Sequence, residues 1–384
     1  MGGANLNARN VAAPILFNAL SVSPEAAGVG RYAFELCRAL LAIRNDIKVV
    51  VQRGMAACLC CPRDRLCLLP NLHQSWQRIL VEQLAVPLQM RGCRLIHFPD
   101  ASLPLVTSSL SIVTLHDLSF LRFDDIFTRS QRVWKRFVAR EALSRATRVV
   151  CDSQFTATEA QDLRLLPAEK LRVIYPGVRI YSGGTHTPAA VRNLSTPFVL
   201  AVGTLTPRKN LVRLINAVVL LRREGLDLDL VIAGKRGWLF RPVLAASRHH
   251  EIAGHVHLCG HCSEAELAWL YRHAKVLAYV SLYEGFGFPP LEAMTHGLPV
   301  VAARAGALPE VCASAAYYVD PYSVEDIARG LHAVCTDRTL RAHLIAAGAE
   351  RWQAFDWSHT ATGMCHVYDE VMEDSSHDHQ GGNC

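Results

Sequence analysis

Two acids, Glu284 and Glu292, stand with seven residues between them in Y-E-G-F-G-F-P-P-L-E-A-M-T-H-G-L-P-V, Tyr283 to Val300. Carboxylates accept hydrogen bonds from hydroxyls, so Glu284 can grip a sugar ring and Glu292 a ribose. Gly285 and Gly287 lie between the acids and let the backbone approach a ligand closely. Pro289 or Pro290 suits the first turn of a helix. Leu291 to His296 reads as that helix, with Gly297 as its stop. Backbone N–H groups of Phe286, Gly287 and Phe288, ahead of a positive helix end, favour an anion such as a pyrophosphate. The set reads as a nucleotide site with sugar-facing acids. A capped surface helix with ordinary acids is the plain alternative. Two acids, two glycines and a Pro-Pro turn before the apolar Val300-Val301-Ala302 weigh against it.

Three other places carry compatible chemistry. G-T-L-T-P-R-K-N, Gly203 to Asn210, puts Arg208 and Lys209 where a strand gives way to a helix. Paired cations there suit a diphosphate, and arginine can hold one through two hydrogen bonds. S-P-E-A-A-G-V-G-R-Y ends with Gly28 and Gly30 before a helix, a shortened form of a phosphate-binding turn. His116-Asp117 follows the strand Ser111–Leu115, at the edge where open α/β sheets take ligands. Asp117 can equally cap the next segment, which leaves His116 as the functional member of the pair.

The elements that must position these groups alternate. Apolar runs at Pro14–Ala19, Lys48–Gln52, Arg94–Phe98, Ser111–Leu115, Val149–Asp152 and Leu171–Tyr175 predict buried strands. Helical spacing separates them, first at Arg31–Leu41. Arg179 to Pro197 is polar, rich in Gly, Pro and Ser, and reads as a linker. A second series follows, with strands at Phe198–Val202, Leu228–Ala233, Val256–Cys259, Val276–Val280, Val300–Ala303 and Tyr317–Val319. Its helices include Glu264–His273 behind a Ser263 cap and Val324–Cys335. The order implies two α/β units with parallel sheets. The basic helix Arg129–Arg148 carries Arg132, Lys135, Arg136 and Arg140, with Trp134 and Phe137 interleaved. It is either a solvated face or a membrane-surface contact.

The chain has 384 residues, enough for two domains, and 51% of them are hydrophobic. No apolar run approaches the ~20 residues of a membrane span. The first residues lack the pattern of an export signal, so the expected compartment is the cytoplasm. A net charge of +6 suits anionic ligands or an anionic surface and is too diffuse to argue for nucleic acid. The 13 cysteines are scattered and odd in number, as expected of free thiols. Cys58–Cys67 and His255–Cys262 invite zinc, but neither has two separated C-x2-C pairs. In the second, strand alternation would turn the ligands to opposite faces. Asp227-Leu228-Asp229 has an acid-x-acid form but sits at the wrong end of its strand for a ligand, and reads as an exposed strand start.

Taken together, G-V-G-R-Y, V-T-L-H-D-L-S-F, V-V-C-D-S-Q-F-T, V-I-Y-P-G-V, V-G-T-L-T-P-R-K-N, L-V-I-A-G-K-R-G-W, the Glu284–Glu292 stretch and A-L-P-E-V resemble glycosyltransferase family 4. These are retaining nucleotide-sugar enzymes with the GT-B fold. The resemblance implies two facing Rossmann-like domains with parallel sheets and an interdomain cleft. An N-terminal acceptor domain would span 11–178, a linker 179–197, and a nucleotide-sugar domain 198–350. A helix over 351–373 would cross back to the N-terminal domain, and a tail over 374–384 would be disordered. The resemblance gives Glu284 the donor sugar, Glu292 the ribose, Lys209 the diphosphate, and Gly28 and Gly30 the phosphate loop. It sets His116 beside the transferred sugar. Many members have arginine after the glycine at position 203, where this chain has Thr204, so Arg208 is the candidate for the missing cation. The T-L-x-P-R-K-N form resembles bacterial polysaccharide and O-antigen mannosyltransferases. That implies GDP-mannose as donor, a glycan or lipid-linked acceptor, no cofactor or metal, and peripheral contact with the inner membrane surface. A sugar-nucleotide epimerase of the same fold and an idle scaffold are the rival readings.

Overall fold

The computed structural model describes residues 14–22, 28–72, 74–107, 109–122, 129–181, 184 and 186–380, save the side chains of 75, 129–132, 134, 135 and 376–380. Short apolar segments pair as parallel strands because helices cover both faces of each sheet, so both sides of a strand can be apolar. The first sheet contains β1 (Ile15–Asn18), β2 (Ile47–Gln52), β3 (Leu66–Leu69), β4 (Leu95–Phe98), β5 (Leu110–Leu115), β6 (Arg148–Cys151) and β7 (Leu171–Val173). Its order is β3-β2-β1-β4-β5-β6-β7. The second contains β8 (Phe198–Val202), β9 (Asp229–Ala233), β10 (Val256–Gly260), β11 (Val276–Tyr279), β12 (Val300–Ala303) and β13 (Ala316–Val319), in the order β10-β9-β8-β11-β12-β13. The order reverses between β1 and β4 and again between β8 and β11. Open sheets bind ligands outside such points.

The first unit carries α1 (Val29–Ile43), α2 (Ser75–Leu84), α3 (Val86–Gln89), α4 (Ser119–Arg122), α5 (Arg129–Arg145) and α6 (Gln154–Asp162). The second carries α7 (Leu211–Arg223), α8 (Arg241–Ser247), α9 (Glu264–His273), α10 (Phe288–Thr295), α11 (Leu308–Cys312), α12 (Val324–Thr336) and α13 (Arg338–Arg351). Ser263 caps α9 in a reciprocal box with Glu266.

The last helix, α14 (Trp357–Gln380), returns to the first unit. Met364, Tyr368 and Val371 recur on one face and pack with Tyr32, Leu36 and Leu40 of α1. Arg148 holds the helix from the first sheet through Glu370 at 3.0 Å and Asp374 at 2.6 Å. The disordered tail expected from residue 374 is therefore helical as far as Gln380, while 381–384 lie outside the described residues.

Three other expectations change. β3 was hidden inside the cysteine-rich stretch, where Cys67 pairs with Val50. Asp229 is not an exposed strand start. It is buried and accepts hydrogen bonds from His255 Nδ1 (2.9 Å) and His257 Nε2 (2.7 Å), which share one face because they are two residues apart. The linker is not featureless, since Tyr181 within it is buried against the second unit. Among the described residues, the group of three possible metal ligands close enough to share an ion is His249, His250 and Glu251, outside both cysteine clusters.

Candidate active site in the cleft

Glu284 lies on the loop that follows β11, at the carboxyl edge of the second sheet. Arg208 and Lys209 come from the turn after β8, the neighbouring strand. Parallel pairing of β8 with β11 puts both loops on one edge. Lys209 Nζ lies 2.6 Å from Glu284 Oε1 and Arg208 Nη1 lies 2.7 Å from Oε2. Lys209 also donates to the Tyr279 hydroxyl at 2.7 Å, and Arg208 to the Tyr283 carbonyl at 2.7 Å. Burial raises the carboxyl pKa of Glu284, but the charges of Lys209 and Arg208 more than reverse this and bring it to about 2. Burial also lowers the pKa of Lys209, with Glu284 working against that shift. One carboxylate is thus held ionised between two cations, and all three side chains belong to the second unit.

Glu292 sits one turn into α10, behind Gly287 at the helix cap. It is buried, and its partners are mostly neutral. Tyr271 donates to Oε2 at 2.7 Å, and Tyr181 donates to Oε1 at 3.0 Å. Arg31, from α1 of the other unit, reaches Oε1 at 3.3 Å and the Tyr181 hydroxyl at 2.5 Å. Burial raises the phenol pKa of both tyrosines, so they remain protonated donors.

The opposite wall holds His116 at the end of β5. Its Nδ1–H donates to Asp152 Oδ2 at 2.5 Å and its Nε2–H to the Pro99 carbonyl at 2.9 Å. A carbonyl only accepts, so Nε2 carries a proton, and the carboxylate favours a second one on Nδ1. Burial lowers the imidazole pKa, but Asp152 and the Pro99 carbonyl outweigh it and raise the value to about 9. Both nitrogens of the resulting imidazolium are engaged by protein groups, so its direct effect on a ligand is that of a fixed positive ring. Asp117 accepts from the Ser119 backbone N–H at 3.0 Å and the Ser119 hydroxyl at 2.7 Å, a turn that leads into α4.

Gly28 precedes α1 with φ 62°, a conformation that favours glycine, and a Cβ there would meet no atom within 4 Å. Gly30 is buried within α1. Gly285 meets the other unit. A Cβ on it would lie 1.9 Å from the His116 carbonyl oxygen, so that contact by itself excludes a side chain. The Gly285 carbonyl accepts from Ser153 Oγ at 2.6 Å. Phe286 is packed in the second unit's core against Phe288 and Phe355. Glu310 crosses the cleft as well, accepting from the backbone N–H groups of Gln154 (2.6 Å) and Phe155 (2.8 Å), where α6 begins.

The sequence reading missed Arg31, Tyr181, Tyr271, Tyr279 and Asp152. Arg31 and Asp152 stand inside the quoted stretches G-V-G-R-Y and V-V-C-D-S, where a signal was present. The tyrosines carried none. A pocket of about 580 Å³ elsewhere, bounded by Ile215, Arg223, His249 and Val324, is lined by none of these residues.

The family description "Glycosyltransferase Family 4" matches residues 26–182, and "Glycosyl transferases group 1" matches residues 186–351. The chain belongs to this glycosyltransferase family. O-antigen chain mannosyltransferase B of Escherichia coli is 26% identical over 388 residues, which cover 92% of this chain and 99% of that protein. Among solved structures, sucrose-phosphate synthase of Thermosynechococcus elongatus has a TM-score of 0.73 at 20% identity, covering 94% of this chain and 99% of the other. HepE of Anabaena, solved in complex with UDP-glucose, has a TM-score of 0.70 at 20% identity, covering 93% and 99%. These likenesses give the GT-B fold. Among the described residues no helix is long and apolar enough to cross a membrane.

Proposed function

We propose that this glycosyltransferase moves mannose from GDP-mannose to a hydroxyl of a glycan or lipid-linked acceptor, with retention at the anomeric carbon and without a metal. The observation that carries the chemistry is the pair Arg208 and Lys209, converging within 2.7 Å on one buried carboxylate. When the bond between the anomeric carbon and the diphosphate breaks, the electron pair leaves on a phosphate oxygen. Fixed cations beside it stabilise that charge without reorganising, which is the work a divalent metal would otherwise do. The acceptor oxygen bonds to the anomeric carbon on the face the diphosphate leaves, and its proton passes to the departing phosphate. Glu284 holds the donor sugar, Glu292 the ribose, and His116 supplies positive potential on the opposite wall. Gly28 and Gly30 lie where the phosphates approach the first unit. Mannose and the O-antigen setting are supported by the similarity to O-antigen chain mannosyltransferase B. The enzyme works in the cytoplasm, against the inner membrane surface.

The deciding experiment incubates the protein with labelled nucleotide sugars, with and without lipid-linked acceptors, in EDTA. Transfer from GDP-mannose with an α-configured product is expected. Conversion of the donor without acceptor would point to an epimerase, and a loss of transfer in EDTA restored by Mg2+ would end the metal-free reading.

A further inference from the structure

The sequence left the basic helix α5 as either a solvated face or a membrane contact, and the side chains of Arg132, Trp134 and Lys135 lie outside those described. A different pair of helices draws attention by its exposure. From residue 76 to 89, along α2 and α3, the exposed positions are Trp76, Leu80, Leu84 and Leu88. Their exposures are 60%, 49%, 69% and 58%. A surface helix normally turns charged and polar residues to solvent. Here the positions furthest out are all apolar and recur every fourth residue, which lines them up along one side. The one aromatic among them is a tryptophan, a side chain suited to the boundary between lipid and water.

The stripe does not end with the helices. Gln83 fastens the next loop to α2 by accepting from the Leu105 N–H at 2.9 Å. That loop exposes Leu105 at 52% and Val106 at 79%. Arg145, at the end of α5, donates to the Pro104 carbonyl at 2.9 Å, so α5 borders the same loop. Val86 and Met90 share one core cluster with Ala142, Leu143 and Ala146, which puts α3 and α5 on the same side of the first sheet. Exposed Val133 and Phe137 add to the apolar surface from α5.

Charge decides what covers this face. The α5 sequence carries Arg129, Arg132, Lys135, Arg136, Arg140 and Arg145 against Glu141 alone. Arg91, just beyond α3, and Arg140 are exposed, whereas Glu82, the acid of α2, is buried against Asn18. A second copy of the chain would bring like charges together. An anionic bilayer accepts both parts, with apolar side chains in the acyl boundary and cations at the headgroups. The inner side of α2 packs at the carboxyl edge of the first sheet. Arg78 of α2 lies 3.8 Å from Asp100, and Asn18 reaches Glu82 at 3.2 Å, at the carboxyl ends of β4 and β1.

We infer that the α2–α3 stripe, with Leu105, Val106 and the basic α5 beside it, is the face by which the enzyme rests on an anionic lipid surface. This deepens the proposed function, since a lipid-linked acceptor would then enter the cleft from the surface the enzyme sits on.

Flotation of the full chain with vesicles tests it, and needs neither donor nor acceptor. The wild type is expected to float with 1:1 phosphatidylglycerol–phosphatidylcholine vesicles at low salt and to release partly as salt rises. The fourfold variant Trp76→Gln/Leu80→Gln/Leu84→Gln/Leu88→Gln should lose at least tenfold in vesicle partitioning while its melting curve stays close to that of the wild type. Arg91→Glu/Arg140→Glu should weaken the preference for anionic over neutral vesicles. A wild type that stays in the soluble fraction at low salt overturns the inference, as does a fourfold variant that floats like the wild type. A wild-type dimer in solution that the same variant turns into monomer would make the stripe a self-contact and overturn it as well. Transfer to a water-soluble acceptor should survive the fourfold change. If no form of the protein transfers sugar yet the wild type floats, the transferase reading fails and the lipid face stands.

Discussion

On the wall built by the second sheet, Glu284 is held between Lys209 and Arg208, all from one unit and all at the ends of adjacent strands. On the wall built by the first sheet, His116 is held between Asp152 and a carbonyl, and Arg31 reaches across to Glu292. The first cluster is complete without its neighbour. The second shares its groups between strand ends, a loop carbonyl and the other unit. The difference separates tasks. On the proposed function, the charge that must be ready when a diphosphate leaves is built within one unit, and the groups that touch both units are built across them.

The largest expected effect comes from breaking the self-contained cluster. Lys209→Ala leaves Glu284 with Arg208 and, on the proposed function, removes a cation from the place where charge develops. By the measured cost of single electrostatic stabilisers, kcat should fall about 10²–10³-fold. Steady-state kinetics and a melting curve check this together. A folded variant with near-normal kcat would make the cluster structural and erase the contrast between the walls.

The two clusters should also titrate at opposite ends of the pH scale. Glu284 has a folded pKa lowered to about 2. Its contribution to stability is present above the unfolded carboxylate value and is lost as pH falls through about 2. His116 has a folded pKa raised to about 9. Its contribution is complete below the unfolded histidine value of about 6.5 and is lost as pH rises through about 9. The alkaline loss amounts to at most about 3–4 kcal/mol, the gap between about 6.5 and about 9 at 1.36 kcal/mol per tenfold change in proton affinity. Urea unfolding between pH 6 and 10 measures it, and Asp152→Asn should flatten that slope. An unchanged alkaline slope would mean that Asp152 does not hold the imidazolium.

Sequence made the second wall far more legible than the first, for a physical reason. Glu284 and Glu292 are near neighbours in the chain, and Arg208-Lys209 follows a strand whose apolar run is unmistakable. The C-terminal strands from Phe198 onward were placed to within a residue at most ends because each is a short apolar run between turns. His116 was found, but its partner Asp152 is 36 positions away and meets it only through the pairing of β5 with β6. Gly285 was recognised, but not the contact that excludes a side chain there, because the carbonyl it would meet belongs to the other unit. Tyr181 was invisible for the same reason. Nothing in a polar linker marks one tyrosine as the residue that folds back onto Glu292.

The smallest effect sharpens the comparison at Glu292, whose two oxygens are supported differently. Tyr271 is the hydroxyl seen on Oε2, whereas Oε1 has both Tyr181 and Arg31. Removing Tyr271 by Tyr271→Phe leaves Oε2 without that donor and keeps the ring in the core. A lost hydrogen bond of this kind costs about 1 kcal/mol. On the proposed function Glu292 holds the ribose, which is remote from the bond that breaks, so its grip is the same in ground and transition states. Uniform binding of that sort appears in KM, with kcat unchanged. Tyr271→Phe should therefore raise the donor KM about fivefold at constant kcat. Tyr181→Phe should do less, because Arg31 still reaches the same oxygen. Kinetics with the donor varied at saturating acceptor read both. A fall in kcat for Tyr271→Phe would move Glu292 from holding the nucleotide to the chemical step, and an equal effect of the two variants would mean that Arg31 lends Oε1 no support.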